Sequence, residues 1–123
     1  MLREKSVVDI VDNSGALKVG LFSVTGKNGR RSAGVGAIVR GSVKRASTNG
    51  KVTKGEVVSI LITATKRKIT RKDGSSIRFS KNCGIVVNKA SKEPIGTRLF
   101  APIAREIKDL GFSKVVSMAP EVL

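Results

Sequence analysis

The sequence predicts a mainly β fold: a small five-stranded antiparallel barrel, with a projecting basic β-hairpin and one or two short C-terminal helices. Three observations point there. Val and Ile dominate the apolar residues of a 123-residue chain that is 40% hydrophobic, and 13 glycines are available for turns. β-Branched residues and glycine favour strands and tight turns over helices. Five or six apolar runs follow one another with turn signals between them, as in a small closed barrel. Closure would also remove the edges that so many Val/Ile runs leave open to pairing with other chains.

Taken in order, SVVDIV (6–11) alternates as a strand does, and DNSGA (12–16) collects turn formers. LKVGLFSVT (17–25) is a second strand. GKNGRRSAG (26–34) is a basic, glycine-rich loop without the GxxxxGK[ST] spacing of a phosphate-binding loop, and it leads into strand residues rather than a helix. An exposed RNA-contacting loop fits it better than a nucleotide site. VGAIVRGSVKRAS (35–47) is a third strand that turns basic, and TNGK (48–51) holds an Asn-Gly hairpin signal. EVVSILITAT (56–65) is the most continuous apolar run and should be the most buried strand. TKRKITRKDGSSIRFSK (65–81) forms a hairpin about Asp73-Gly74, and NCGIVVN (82–88) is the next strand. In PIAREIKDLG (102–111) a first-turn Pro and a terminal Gly bracket a helix. FSKVVSMAPEVL (112–123) stays apolar up to Pro120. The length suits one domain over 1–123, a barrel over about 1–100 with hairpin 65–81, then a helical part over about 101–123. No repeat or linker divides it.

Charge narrows the function. The formal net charge is +15. Self-repulsion of that size opposes folding, and its usual purpose is a polyanionic partner. Residues 13–72 hold 14 Lys or Arg against one acid, Glu56, whereas residues 82–123 hold six against four. One region therefore faces a polyanion, and the tail suits protein contacts better than phosphate contacts. The chain has no His, which removes imidazole general-base chemistry and His-containing metal sites. Its single cysteine, Cys83, reads as a small buried strand residue; it makes neither an internal disulfide nor a Cys-rich zinc site. The nine carboxylates are scattered without a tight pair, so neither an enzyme nor a metal or other cofactor is expected. No apolar run reaches the ~18 residues of a membrane span, and residues 1–15 lack the apolar core of a signal peptide. An intracellular, reducing compartment is expected.

Residues 65–81 carry seven basic residues and one acid. On a strand, Lys66 and Lys68 share one face, and Arg67, Ile69 and Arg71 the other. Charge on both faces predicts that this segment projects from the barrel without packing on either side. A hairpin that merely kept the chain soluble would interleave both signs. Nucleic acid is favoured over a membrane surface because no amphipathic helical stripe with large aromatics is present. Four Phe and no Tyr or Trp make a poor set of stacking platforms, and Phe22 and Phe79 sit in strand patterns that favour the core. Phosphate and sugar contacts to folded RNA fit better. The expected RNA-contacting residues are Lys18, Arg30, Arg31, Arg40, Lys44, Arg45, Lys51, Lys54, Lys66, Arg67, Lys68, Arg71, Lys72 and Arg78. Arg, with its bidentate fork, is the stronger candidate at any one position. Asn13 and Gly15 read as turn structure as readily as RNA approach, and Gly34 and Gly36 as close backbone approach or bulge geometry. An exchangeable RNA-binding barrel, acting as an RNA chaperone or translation factor, shares this charge but would be expected to show stacking aromatics.

DNSGA (12–16), AGVG (33–36), GKVTKGEVV (50–58), RKDGSSIRF (71–79), EPIGTRLFAP (93–102) and APEVL (119–123) together resemble the family of large-subunit ribosomal protein fourteen, in its bacterial or organellar type. The resemblance is collinear over nearly the whole chain. It implies a five-stranded barrel with an extra hairpin and short C-terminal helices. It further implies binding to large-subunit ribosomal RNA at the face that meets the small subunit, an intersubunit bridge to small-subunit ribosomal RNA, and a neighbouring large-subunit protein, numbered nineteen in bacteria. In many bacteria and organelles a ribosome-silencing factor docks on the C-terminal side, which here implies Thr97, Arg98 and Lys114 as protein contacts. The implied location is the ribosome of a bacterial cytoplasm or of an organelle matrix, mitochondrion or plastid. The sequence departs from the family at Ile60, larger than expected, at Gly84-Ile85, and at Lys72, where many relatives have Pro.

Overall fold

In a closed ring of five strands, four antiparallel seams make the strands alternate in direction, so the first and last point the same way and the fifth seam is parallel. The computed structural model, which describes residues 2–3, 6–23, 32–48, 50–88 and 93–123, builds that barrel. Its strands are β2 (Val7–Ile10), β3 (Ala16–Ser23), β5 (Ile38–Ala46), β6 (Val57–Ala64) and β9 (Cys83–Val87), in that order around the ring. Four seams are antiparallel, and β2 closes against β9 in parallel, Asp9 opposite Cys83. Two small ladders lie outside it: β1 (Leu2–Arg3) with β4 (Ser32–Ala33), and β7 (Ile69–Thr70) with β8 (Ser76–Ile77). The tail carries two short helices, α1 (Glu106–Asp109) and α2 (Ser113–Met118).

The core has two parts, and β6 belongs to both. Val8, Val19, Val43, Ile60, Ile62 and Val86 fill the barrel. Leu61, Ile85 and Val87 point outward from β6 and β9 and are covered by Leu99, Ile103, Ile107 and Val115 of the tail. Alternate residues of β6 thus meet the barrel interior and the tail, which is why the strand is buried without interruption from Val58 to Ala64. The two departures at Ile60 and Gly84 meet here. A Cβ on Gly84 would lie 2.6 Å from Ile60 Cγ2, so the missing side chain on β9 makes room for the larger one on β6.

Two turn assignments change. The connection between β5 and β6 spans residues 47–56, not a two-residue turn; Asn49 lies outside the described residues. Gly50 instead packs against the 12–15 turn, where Lys51 N–H donates to the Ser14 carbonyl (2.8 Å). Pro102 does not open a helix. Ile103 forms a parallel bridge with Val122, and Ala104 N–H donates to the Thr63 carbonyl (3.1 Å), so these backbone groups are taken and α1 begins only at Glu106.

The 12–15 turn clasps distant segments rather than only reversing the chain. The buried Asp12 carboxylate accepts from Ser14 N–H (3.2 Å), Ser14 Oγ–H (2.6 Å) and, across the barrel end, Val86 N–H (3.0 Å). Burial raises the Asp12 pKa, and these donors pull it back only in part. Asn13 Oδ1 accepts from Thr97 N–H (2.7 Å) and Arg98 N–H (3.2 Å), while its Nδ2 donates to Thr97 Oγ1 (2.9 Å). An Asp12→Asn variant sets an amide donor against one of those donors. It is expected to lose about 1–3 kcal/mol in denaturant unfolding at neutral pH; an unchanged midpoint would remove Asp12 as the clasp.

Candidate nucleic-acid interface

The β3–β5 wall carries its cations because its register slips. Ala16 faces Ala46 and Lys18 faces Arg45, which leaves Leu17 extra on β3; Val19 then faces Val43, which leaves Lys44 extra on β5. Further along, Leu21 faces Gly41 and Ser23 faces Arg40, which leaves Phe22 extra. An extra residue breaks strict alternation and lets consecutive side chains share a face. Lys18, Lys44 and Arg45 are accordingly all exposed, and the Lys44 stem crosses Gly20 on the neighbouring strand. Arg40 is exposed on the same strand toward the other barrel end. Asp9 meets Lys18 at 4.0 Å, a long surface pair.

The registers sort the remaining candidates by barrel end. Lys51 and Lys54 lie in the 47–56 connection, at the end that carries the 12–15 turn, and are exposed. The hairpin leaves the opposite end, between β6 and β9, and there Lys66, Arg67, Lys68, Lys72 and Arg78 are exposed. Lys81, also exposed, joins them and was missing from the expected set although it closes the same basic run. Arg30 and Arg31 lie outside the described residues. The described cations therefore occupy one wall and both ends of the barrel rather than one compact patch. The tail covers the β6–β9 wall, across the ring from β3.

Arg71 departs from the expectation of a hairpin exposed on both faces. It is half-buried, with Nε donating to Glu106 Oε1 (2.8 Å) and Nη2 to the Leu123 backbone oxygen (2.6 Å). Lys68, Thr70 and Lys72 alternate with Ile69 and Arg71, so one hairpin face is anchored to the tail while the other stays open. Asp73 Oδ1 accepts from Ser75 N–H (2.9 Å) and Ser75 Oγ–H (2.6 Å), and Gly74 takes φ +88, so the Lys72–Asp73–Gly74 tip turns without a proline. Burial opposes ionisation of Glu106, but hydrogen bonding and charge from Arg71 outweigh it and hold its pKa below the ordinary 4.5. The contribution of this pair is thus present above about pH 4.5 and lost as pH falls through the lower folded pKa. Glu106→Gln is expected to flatten the acid limb of thermal stability against pH; a limb as steep as in the parent chain would show the pair contributes nothing.

The other expected sites lie apart. Thr97 and Arg98 are exposed, with their backbone held by Asn13. Lys114 pairs with Glu93 at 2.8 Å. Lys114 and Glu93 border a shallow groove of about 370 Å³, lined further by Pro94 and by residues 110–113 and 115, which Thr97 and Arg98 do not reach. Gly36 takes φ +87 under Leu110, where a Cβ would collide with it, whereas Gly34 borders open space. Phe79 is half-buried, but Phe22 is 45% exposed, with the Arg40 guanidinium 5.9 Å from its ring centroid. The expectation of a core Phe22 fails because Val19 and Leu21 take the inward positions of β3, and alternation leaves Phe22 on the outer face. Over residues 1–123, the whole chain, the sequence matches the family model described as ribosomal protein L14p/L23e.

Proposed function

The chain belongs to the ribosomal protein L14p/L23e family, structural rather than enzymatic proteins of the large ribosomal subunit, and on that premise we propose that it binds large-subunit ribosomal RNA through the β3–β5 wall and the open face of the hairpin. One observation carries this reading: the exposed cations stand on a wall that no described helix covers, while the tail, near charge balance, covers the wall across the barrel. Phosphates suit the first surface, and protein neighbours suit the second. In this reading the tail side, with Thr97, Arg98 and Lys114, meets the neighbouring protein nineteen and a ribosome-silencing factor. Exposed surface beside the tail contributes a bridge to small-subunit ribosomal RNA, in a bacterial or organellar ribosome. Support for these partners comes from the family resemblance and from the exposure of those three residues.

A second reading, an exchangeable RNA-binding barrel, draws on the exposed Phe22. Sucrose-gradient fractionation of native lysate at high salt and low magnesium separates the two. A chain embedded in folded RNA stays with dissociated large subunits, whereas contacts made by charge alone weaken steeply with salt. A chain found free at the top of the gradient would overturn the ribosomal reading.

A further inference from the structure

We propose that Phe22 and Arg40 form a stacking platform that receives one unstacked nucleobase of the bound RNA. This inference rests on the RNA-binding reading of the β3–β5 wall and goes beyond its phosphate contacts. Single exposed apolar residues are ordinary on protein surfaces, so exposure of Phe22 alone carries nothing. Three further facts converge on it. Val19 and Leu21 fill the inward positions of β3, so Phe22 points outward on the same side as Gly20, over which the Lys44 stem passes. It lies on the wall that displays Lys18, Lys44 and Arg45, where a polyanion is expected. The Arg40 guanidinium stands 5.9 Å from the ring centroid, within cation–π range, and Arg40 also borders a groove of about 280 Å³ lined by Val57, Ser59 and Asn88. A planar base laid on Phe22 would meet an aromatic face and a guanidinium together, with its phosphate near the lysines. Base–aromatic stacking is tolerant of base identity, so the class of ligand is an unpaired nucleotide in a loop or bulge, with no particular base specified.

The chain has no Trp and no Tyr, so Phe22→Trp places a single indole reporter at this site. The probes are deproteinised large-subunit ribosomal RNA and long-chain polyphosphate, which offers the charge without bases. Quenching of the indole by the RNA but not by polyphosphate is expected. Phe22→Ala is expected to weaken RNA binding roughly tenfold while leaving the slope of log affinity against log salt unchanged, because no phosphate contact is removed. Phe22→Leu, which keeps the apolar bulk, should weaken it nearly as much. Equal quenching by both probes, or Phe22→Ala binding as tightly as the parent chain, would overturn the platform and leave the phosphate-binding wall standing. Failure of the parent chain to bind the RNA in a mobility-shift assay would overturn both. Phe22 lies outside the core, and circular dichroism of each variant checks that the barrel is intact.

Discussion

Alanine at Gly15 is expected to lower the melting midpoint by about 10 °C, the equivalent of roughly 3 kcal/mol for a domain of this size. Two costs add at this residue. Gly15 takes φ +107, a conformation that L side chains rarely adopt, and forcing one there costs about 1–2 kcal/mol. A Cβ on Gly15 would also run into the Cα of Gly50, and both groups are backbone, so neither can rotate away. Overpacking of this kind costs about 1–3 kcal/mol. Gly50→Ala separates the two costs. Its Cβ would strike the Gly15 Cα in return, but Gly50 carries no positive-φ constraint, so its loss should be smaller by the strain alone. The consequence reaches the barrel because Ser47 N–H donates to the Gly15 carbonyl (2.7 Å) and Lys51 N–H to that of Ser14. If the Gly15→Ala midpoint moved by only about 2 °C, the two loops would not be in the tight contact described.

The second large effect is on binding. Replacing Lys18, Lys44 and Arg45 together with alanine should lower affinity for large-subunit ribosomal RNA by about 100-fold near 0.1 M salt, and reduce the salt slope by about 2. The reasoning is per phosphate: each neutralised contact contributes roughly 0.7–0.9 to the slope. All three residues are exposed and outside the core, so folding should be little affected. A matching triple on the open hairpin face, Lys66, Lys68 and Lys72, gives the comparison. A loss confined to the hairpin triple would move the interface off the wall and onto the projecting loop.

Much of the barrel could be read from the chain because its signals are local. SVVDIV, LKVGLFSVT, EVVSILITAT and NCGIVVN fall on β2, β3, β6 and β9 to within two residues. The candidate site was less legible because its geometry depends on pairing. Leu17 and Lys18, and likewise Lys44 and Arg45, face outward as consecutive pairs only because β3 and β5 slip against each other, and a two-residue period cannot register a slip in a partner strand. Arg71 looked like one more phosphate contact because Glu106, which holds it, lies 35 residues further on. Asn13 looked like a turn former for the same reason; its partners Thr97 and Arg98 belong to the last quarter of the chain.

The parallel seam has a consequence for how the chain acquires its shape. β2 is the first barrel strand along the chain, yet its second neighbour, β9, is separated from it by more than half the sequence. Until β9 arrives, β2 is an open border with unsatisfied backbone groups, of the kind that recruits stray strands. Asp12 waits on Val86, Asn13 on residues 97–98, and the Val11 carbonyl on the Phe100 N–H (2.8 Å). Closing so long a loop comes late and slowly, because the chain entropy is lost before the contacts repay it. On a translating ribosome, therefore, an incomplete chain should persist as an unsealed sheet with exposed Val and Ile. Its exposure to chaperones and proteases should end sharply once the segment through Phe100 has emerged.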